Sequence, residues 1–155
     1  MLRLRWKSMD CGLEPERECM KAEQLTLVLD SLVLVQPLAD EIAKSFYMHL
    51  FEIAPVAKKL FTSDMERQGA MLMTSLSLAV SGLSDMESIL PSVRALGERH
   101  FSYGVKPEYF QPAIESFIWA LENHLGDRFN PALKGAWHTA FKSVADAMLT
   151  AYDSK

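Results

Sequence analysis

The sequence predicts an all-α fold, with seven or eight helices of unequal length packed around one hydrophobic core. Three observations carry this. Apolar residues recur at i, i+3, i+4 and i+7 through most of the chain, the repeat of a helix buried along one side. Only 7 of the 155 residues are glycine, and strand-like alternation is nearly confined to the opening MLRLRWK. The prolines fall where helical periodicity begins, a position at which a missing N–H removes no helical hydrogen bond.

The elements follow in order. Residues 1–20 show no helical periodicity and are expected to form a disordered leader, with the folded domain over 21–155. A first helix is predicted from about Ala22 to Val35, with Leu25, Leu29, Leu32 and Val33 inward. Pro37 suits the first turn of a second helix that ends near Phe51. APVAKKLF, after Ile53, reads as a short third helix. Ser63-Asp64-Met65-Glu66 has the spacing of a capping box, in which the Ser hydroxyl and Glu carboxylate satisfy each other's end groups. It opens a long helix through about Ser81, with Leu72, Leu76 and Ala79 inward. Ser84-Asp85-Met86-Glu87 repeats the device. Here it is expected to start a short turn that stops before Pro91, because the residue before proline is biased out of the helical region. Pro91 then begins the helix that ends at His100. Pro107 starts the next, which closes near Gly126, and Asn130-Pro131 caps and starts the last, which reaches about Tyr152. Very short helices at 55–60 and 85–90 argue against a uniform up-and-down bundle.

The bulk numbers narrow the function. A chain of 155 residues, 49% hydrophobic and 23% charged, is one globular domain with a sizeable core. A net charge of −4 argues against nucleic acid as a partner, which would require a basic face. No apolar run approaches the roughly 18 residues of a membrane span. Cys11 and Cys19 fit neither a CxxC redox pair nor a zinc clip, and two thiols in a large-cored chain suit a reducing compartment. The basic opening lacks an apolar h-region, so a cytoplasmic location is expected.

One stretch raises a chemical question. In LGERHFSYGV, residues 96–105, His100 closes an apolar stripe with Val93 and Leu96, and Tyr103-Gly104-Val105 then forms a turn. A histidine on an apolar face is ordinarily satisfied by a backbone carbonyl. The Leu96 carbonyl, one turn back, is the expected acceptor.

Further fragments frame it. SFYMHLFEIAP carries Phe46 and Tyr47, KKLF ends at Phe61, Gln68 precedes Leu72 by one turn, and His100 lies 32 positions beyond Gln68 (100 − 68 = 32). FYMHLF, APVAKKLF, ILPSVRALGERHFSYGVKPEY and LGDRFNPALKGAWHTAF, in this order and spacing, resemble the globin family. The likeness is specifically to bacterial single-domain globins and the haem domains of flavohaemoglobins, and it runs from about Gln24 to Tyr152.

The resemblance implies a globin fold around a haem pocket and assigns roles within it. His100 would be the proximal iron ligand. Phe61 would pack flat on the porphyrin, Leu72 would line the distal side, and Leu96 and Val105 would complete the cofactor contacts. Tyr47 and Gln68 would reach the sixth iron position, where a hydroxyl and an amide can each donate to a ligand atom of partial negative charge. Haem b is the implied cofactor, held without covalent attachment since the chain has no CxxCH. His49, His124 and His138 sit among polar neighbours and are read as surface or boundary residues.

Two departures stand out. Some relatives carry a Tyr ten positions after the proximal His and a Glu in the last helix, which together polarise that His; here the first is Phe110, and near the second stands Tyr152. Leu32 also occupies a position where relatives often have Trp. The implied function is reversible dioxygen binding by a monomer or homodimer, with NO and CO as further ligands. Alternatives are a nitric oxide dioxygenase served by a separate reductase, since no GxGxxG fingerprint is present, and a haem-based gas sensor.

Overall fold

The computed structural model describes residues 20–154, so the leader expectation, Cys11 and Cys19 lie outside the described residues. Met20, assigned above to the end of the leader, packs partly buried against the core. Among the described residues there are six α-helices and no strand: α1 (Ala22–Val35), α2 (Ala39–Ile53), α3 (Met65–Ser81), α4 (Met86–Ser102), α5 (Phe110–Leu125) and α6 (Pro131–Leu149). Short 3₁₀ segments join them, and Pro55–Leu60 supplies the expected short helix. The segment 85–90 is not a separate element; residues 86–90 are the first turn of α4.

Several boundaries differ from expectation for identifiable reasons. Pro37 sits in a 3₁₀ turn, Gln36–Leu38, and α2 begins just after it. Asp64 rather than Ser63 caps α3, its carboxylate accepting the Glu66 N–H at 3.0 Å. Asp85 likewise caps α4, accepting from the Ser88 N–H at 3.3 Å. In each Ser-Asp pair the charged group takes the cap, where it also complements the helix dipole. Pro91 does not start a helix; it lies inside α4. Its missing N–H would have bonded the Glu87 carbonyl, and both residues are exposed, so water can serve that carbonyl. Asn130 does cap α6, accepting the Leu133 N–H at 2.9 Å.

The buried face of α1 is rotated from the expected one. Leu25, Val28, Ser31 and Val35 are buried, Leu29 and Leu32 are half-buried, and Val33 is 69% exposed. Ser31 can enter the core because both its hydrogen-bonding roles are filled. Trp137 Nε1 donates to its Oγ at 2.9 Å, and its hydroxyl donates to the Val28 carbonyl at 2.8 Å.

α2 packs along α5, α1 and α4 pack on α6, and α3 crosses α2. The aromatic rings of Phe46, Phe117, Phe141 and Trp137 form a file across α2, α5 and α6, with successive centroids 4.0, 4.8 and 5.2 Å apart. A smaller core of Val93, Ala147 and Met148 joins α4 to α6. That seam is close because Gly97 has no side chain: a Cβ there would stand 2.3 Å from the Met148 carbonyl oxygen. With α4 held against α6 and α3 against α2, a gap remains between α3 and α4.

Candidate functional site

The gap is a cavity of about 320 Å³, floored by Phe46, Phe117 and Phe141. Tyr47, Phe61, Gln68, Leu72, Leu96, His100 and Val105, far apart in sequence, all line it. Helix geometry explains how. On α3, Gln68, Met71, Leu72, Ser75, Leu76 and Ala79 follow the i, i+3, i+4 repeat, and on α4 Leu96, Arg99 and His100 do the same, with Tyr103 next in the repeat at the C-cap. Met71, Arg99 and Tyr103 were not expected in the lining from the sequence, although extending the repeat from Gln68, Leu96 and His100 reaches each of them.

His100 Nδ1 donates to the Leu96 carbonyl at 2.8 Å, the acceptor expected from the sequence. That bond fixes the tautomer and leaves Nε2 with its lone pair. Burial holds the imidazole below its ordinary pKa, against the Leu96 carbonyl, which favours the charged form, and with help from the Arg99 charge. The ring is therefore neutral near pH 7, the form that ligates a metal. Among the described residues no group of three His, Cys, Asp or Glu side chains could cage a bare metal ion.

The turn behind His100 is pinned twice. Gly104 takes φ +89°, which lets the Val105 N–H return to the His100 carbonyl at 3.0 Å and close the end of α4. The Tyr152 hydroxyl then donates to the Val105 carbonyl at 2.8 Å. Phe110 lies 6.3 Å from His100 between ring centroids, and Tyr152 packs edge-on to Phe110 at 5.9 Å. No carboxylate is paired with His100 among the described residues.

Across the cavity, Tyr47 is held by Phe46 at 4.9 Å, Phe61 at 5.1 Å and Phe51 at 5.8 Å between centroids. Burial raises its hydroxyl pKa to about 12, with the Gln68 side chain acting in the opposite direction. Tyr47 is thus a neutral donor at physiological pH, with Gln68 as its polar neighbour. The remaining histidines lie elsewhere: His49 Nδ1 meets the Ser116 Oγ at 3.1 Å, His124 Nε2 meets the Ser45 Oγ at 2.8 Å, and His138 is exposed.

A flat, mostly apolar cofactor with one metal position to be filled by a neutral imidazole suits this lining. The walls are largely aliphatic and aromatic, His100 supplies the donor atom, and Arg99 places a cation where acidic substituents could meet it.

Comparison with known proteins agrees. The model of the Globin family matches residues 44–148. The flavohaemoprotein of Bacillus subtilis is 24% identical over 128 residues, spanning 81% of this chain and 32% of that protein. The chain thus covers about a third of the length of the flavohaemoproteins it matches. A plant protein, anaerobic nitrite reductase HBII of Casuarina glauca, is 26% identical over 81% of this chain and 88% of its own length. Among solved structures, a bacterial globin from Campylobacter jejuni superposes with a TM-score of 0.74 at 22% identity, covering 86% of this chain and 99% of the other. An engineered carbene transferase and candidate nitric oxide dioxygenase from Rhodothermus marinus gives 0.80 at 22% identity, covering 88% and 95%. Matched by that family model over more than half its length, and folded as those structures are, this chain belongs to the globin family.

Proposed function

We propose that this chain holds haem b non-covalently in the α3/α4 cavity, with His100 Nε2 on the iron, and binds dioxygen reversibly on the side of Tyr47 and Gln68. The carrying observation is that a neutral, carbonyl-anchored imidazole and a neutral Tyr–Gln pair line one apolar cavity. The cofactor supplies the iron site at which dioxygen, CO and NO bind. The chain supplies the rest. Phe61 and Leu72 give the apolar faces, and the Leu96 carbonyl orients the His100 ring. The Tyr47 hydroxyl and Gln68 amide donate to the ligand in a site of low polarity. Because His100 anchors to a carbonyl and not a carboxylate, the imidazole is not strongly charge-enriched, which favours storage and release over peroxidase-like chemistry. The setting is cytoplasmic in this reading; no helix among the described residues is long and apolar enough to cross a membrane.

A second reading follows from the Rhodothermus marinus neighbour: nitric oxide dioxygenation, in which NO, dioxygen and one electron yield nitrate. The electron would come from a separate reductase.

Dissociation kinetics test the first reading. Tyr47→Phe keeps the ring and removes one donor, worth about 1.4 kcal/mol, so dioxygen should leave roughly tenfold faster. CO, less polar when bound, should leave at nearly the same rate. Equal acceleration of both gases would make the effect steric and remove the hydrogen-bond account. Rapid NO consumption by the dioxygen-loaded protein, sustained only with a reductase, would support the enzyme.

A further inference from the structure

Two kinds of contact hold α2 on α5. Phe46 stacks on Phe117 with ring centroids 4.0 Å apart, an apolar contact that is largely non-directional. Beside it run two polar links. His49 Nδ1 and the Ser116 Oγ are hydrogen-bonded at 3.1 Å, and His124 Nε2 and the Ser45 Oγ at 2.8 Å. The His49 ring also lies flat against Trp119, with 4.5 Å between centroids and 16° between planes. Ser116 is fully buried, and the His49 imidazole serves its hydroxyl. A seam built only for cohesion could be apolar throughout, as the Phe46–Phe117 contact is. A buried hydroxyl with a matched partner instead specifies one arrangement of the two helices.

These links grip α2 on one side and leave Tyr47 on the other. Ser45 and His49 are four residues apart and share a face of α2. Tyr47, two positions from each, leaves the helix on the opposite side, into the cavity beside His100. On α5, Ser116 and His124 are eight residues apart, roughly 12 Å along the axis. Two anchors separated in this way fix both the slide of α2 along α5 and its rotation about its own axis. Hydrogen bonds impose that restraint because they weaken steeply once distance or angle leaves a narrow range. Rotation matters most for Tyr47. Its hydroxyl stands at the end of a long, rigid side chain, so a small turn of α2 carries the oxygen far enough to spoil a hydrogen bond.

We propose that His49 and Ser116, with Ser45 and His124 as the second anchor, are positioning residues for Tyr47, fixing α2 on α5 so that the Tyr47 hydroxyl reaches a gas molecule held on its side of the cavity. The proposal rests on the reading of Tyr47 as the donor to that gas. None of the four lines the cavity, so each acts through α2 and not on the ligand. The two histidines, expected from their polar neighbours to be surface or boundary residues, are half-buried and tied across the helix seam.

The test uses the haem-loaded full chain. His49→Phe keeps a ring against Trp119 and removes both nitrogens, Ser116→Ala breaks the same bond from α5, and Ser45→Ala releases the second anchor. His49→Asn restores a polar atom near the Nδ1 position. His138→Phe, at an exposed histidine of α6, is the control. Dioxygen should dissociate about threefold faster in His49→Phe and Ser116→Ala, part of the roughly tenfold expected when the Tyr47 hydroxyl is lost outright. CO dissociation should stay near the wild-type rate, and the C–O stretching band of the CO-loaded protein should move in the direction it takes in Tyr47→Phe. Ser45→Ala should follow the same pattern, His49→Asn should return toward wild type, and His138→Phe should match it. In a Tyr47→Phe background His49→Phe should add nothing, because the donor it positions is gone. A purely structural role would lower the unfolding midpoint but leave the C–O band and the ratio of dioxygen to CO dissociation unchanged. That outcome in both His49→Phe and Ser116→Ala would overturn the proposal, as would equal acceleration by His49→Phe with and without the Tyr47 hydroxyl. If Tyr47→Phe itself leaves dioxygen dissociation unchanged, the donor reading of Tyr47 fails and the positioning role goes with it.

Discussion

Gly97 and Gly135 are both helical, and replacing each by alanine should have opposite effects. In an open helix interior, alanine is favoured over glycine by about 1 kcal/mol. Nothing lies within 4 Å of a Cβ at Gly135, so Gly135→Ala should gain most of that. At Gly97 the new Cβ would meet the Met148 carbonyl oxygen at 2.3 Å and its carbonyl carbon at 2.9 Å. These are backbone atoms of α6, so no side-chain rotation relieves the clash. Restoring ordinary contact near 3.4 Å requires α4 and α6 to part by about 1 Å, which would loosen Val93, Ala147 and Met148 as well. Overpacking costs about 1–3 kcal/mol, and a clash with backbone that no rotamer relieves takes the upper part of that range, about 2–3 kcal/mol, so after the propensity gain of about 1 kcal/mol Gly97→Ala should lose roughly 1–2 kcal/mol. Thermal unfolding would read this as a fall of about 2–8 °C, against a rise of about 2–4 °C for Gly135→Ala. His100 lies one turn beyond Gly97, so haem transfer to an acceptor protein should also quicken in Gly97→Ala alone. Equal stability of the two variants would refute the claim that a glycine-dependent seam positions α4.

Other outcomes follow from the same geometry. His100→Ala should lose most of its haem during purification, since no other imidazole lies on that face of α4; normal haem content with an unchanged reduced spectrum would contradict the assignment. A chain beginning at Met20 should fold and hold haem like the full chain, as measured by unfolding midpoint and haem stoichiometry; failure would make the leader part of the fold. Tyr47 has a folded pKa raised to about 12 from 10, so the unfolded chain ionises first. Its contribution is intact below pH 10 and is lost as pH rises to 12, by on the order of 3 kcal/mol. Urea unfolding of wild type against Tyr47→Phe should diverge over that window, and parallel profiles would show that Tyr47 is not held in a desolvated site.

Much of this was legible in the sequence because it depends on local signals. The bounds of α1, the Asn130 cap and the turn at Gly104 follow from periodicity and backbone chemistry. The cavity lining was legible because α3 and α4 each present one face, which a 3.6-residue repeat exposes. What escaped depends on partners distant in sequence. Ser31 is absent from the inward residues expected of the first helix, and the bond that admits it to the core comes from Trp137, on α6. Pro91 reads as a helix start, because nothing local reveals that α4 gains enough contact with α6 to run through it. Ser63 and Ser84 have box spacing, yet the adjacent carboxylates win the caps.

Whether this chain is a dioxygen-binding haem protein is read from the visible absorption spectrum of the purified protein, recorded oxidised, reduced, and reduced under CO and under air. Stoichiometric haem b is expected in the wild type, with a reduced form that binds CO. A dioxygen-loaded spectrum that reverts on deoxygenation without oxidation is expected as well. Protein that carries no haem after reconstitution, or whose reduced form is oxidised by air with no stable dioxygen-loaded spectrum, would contradict that reading.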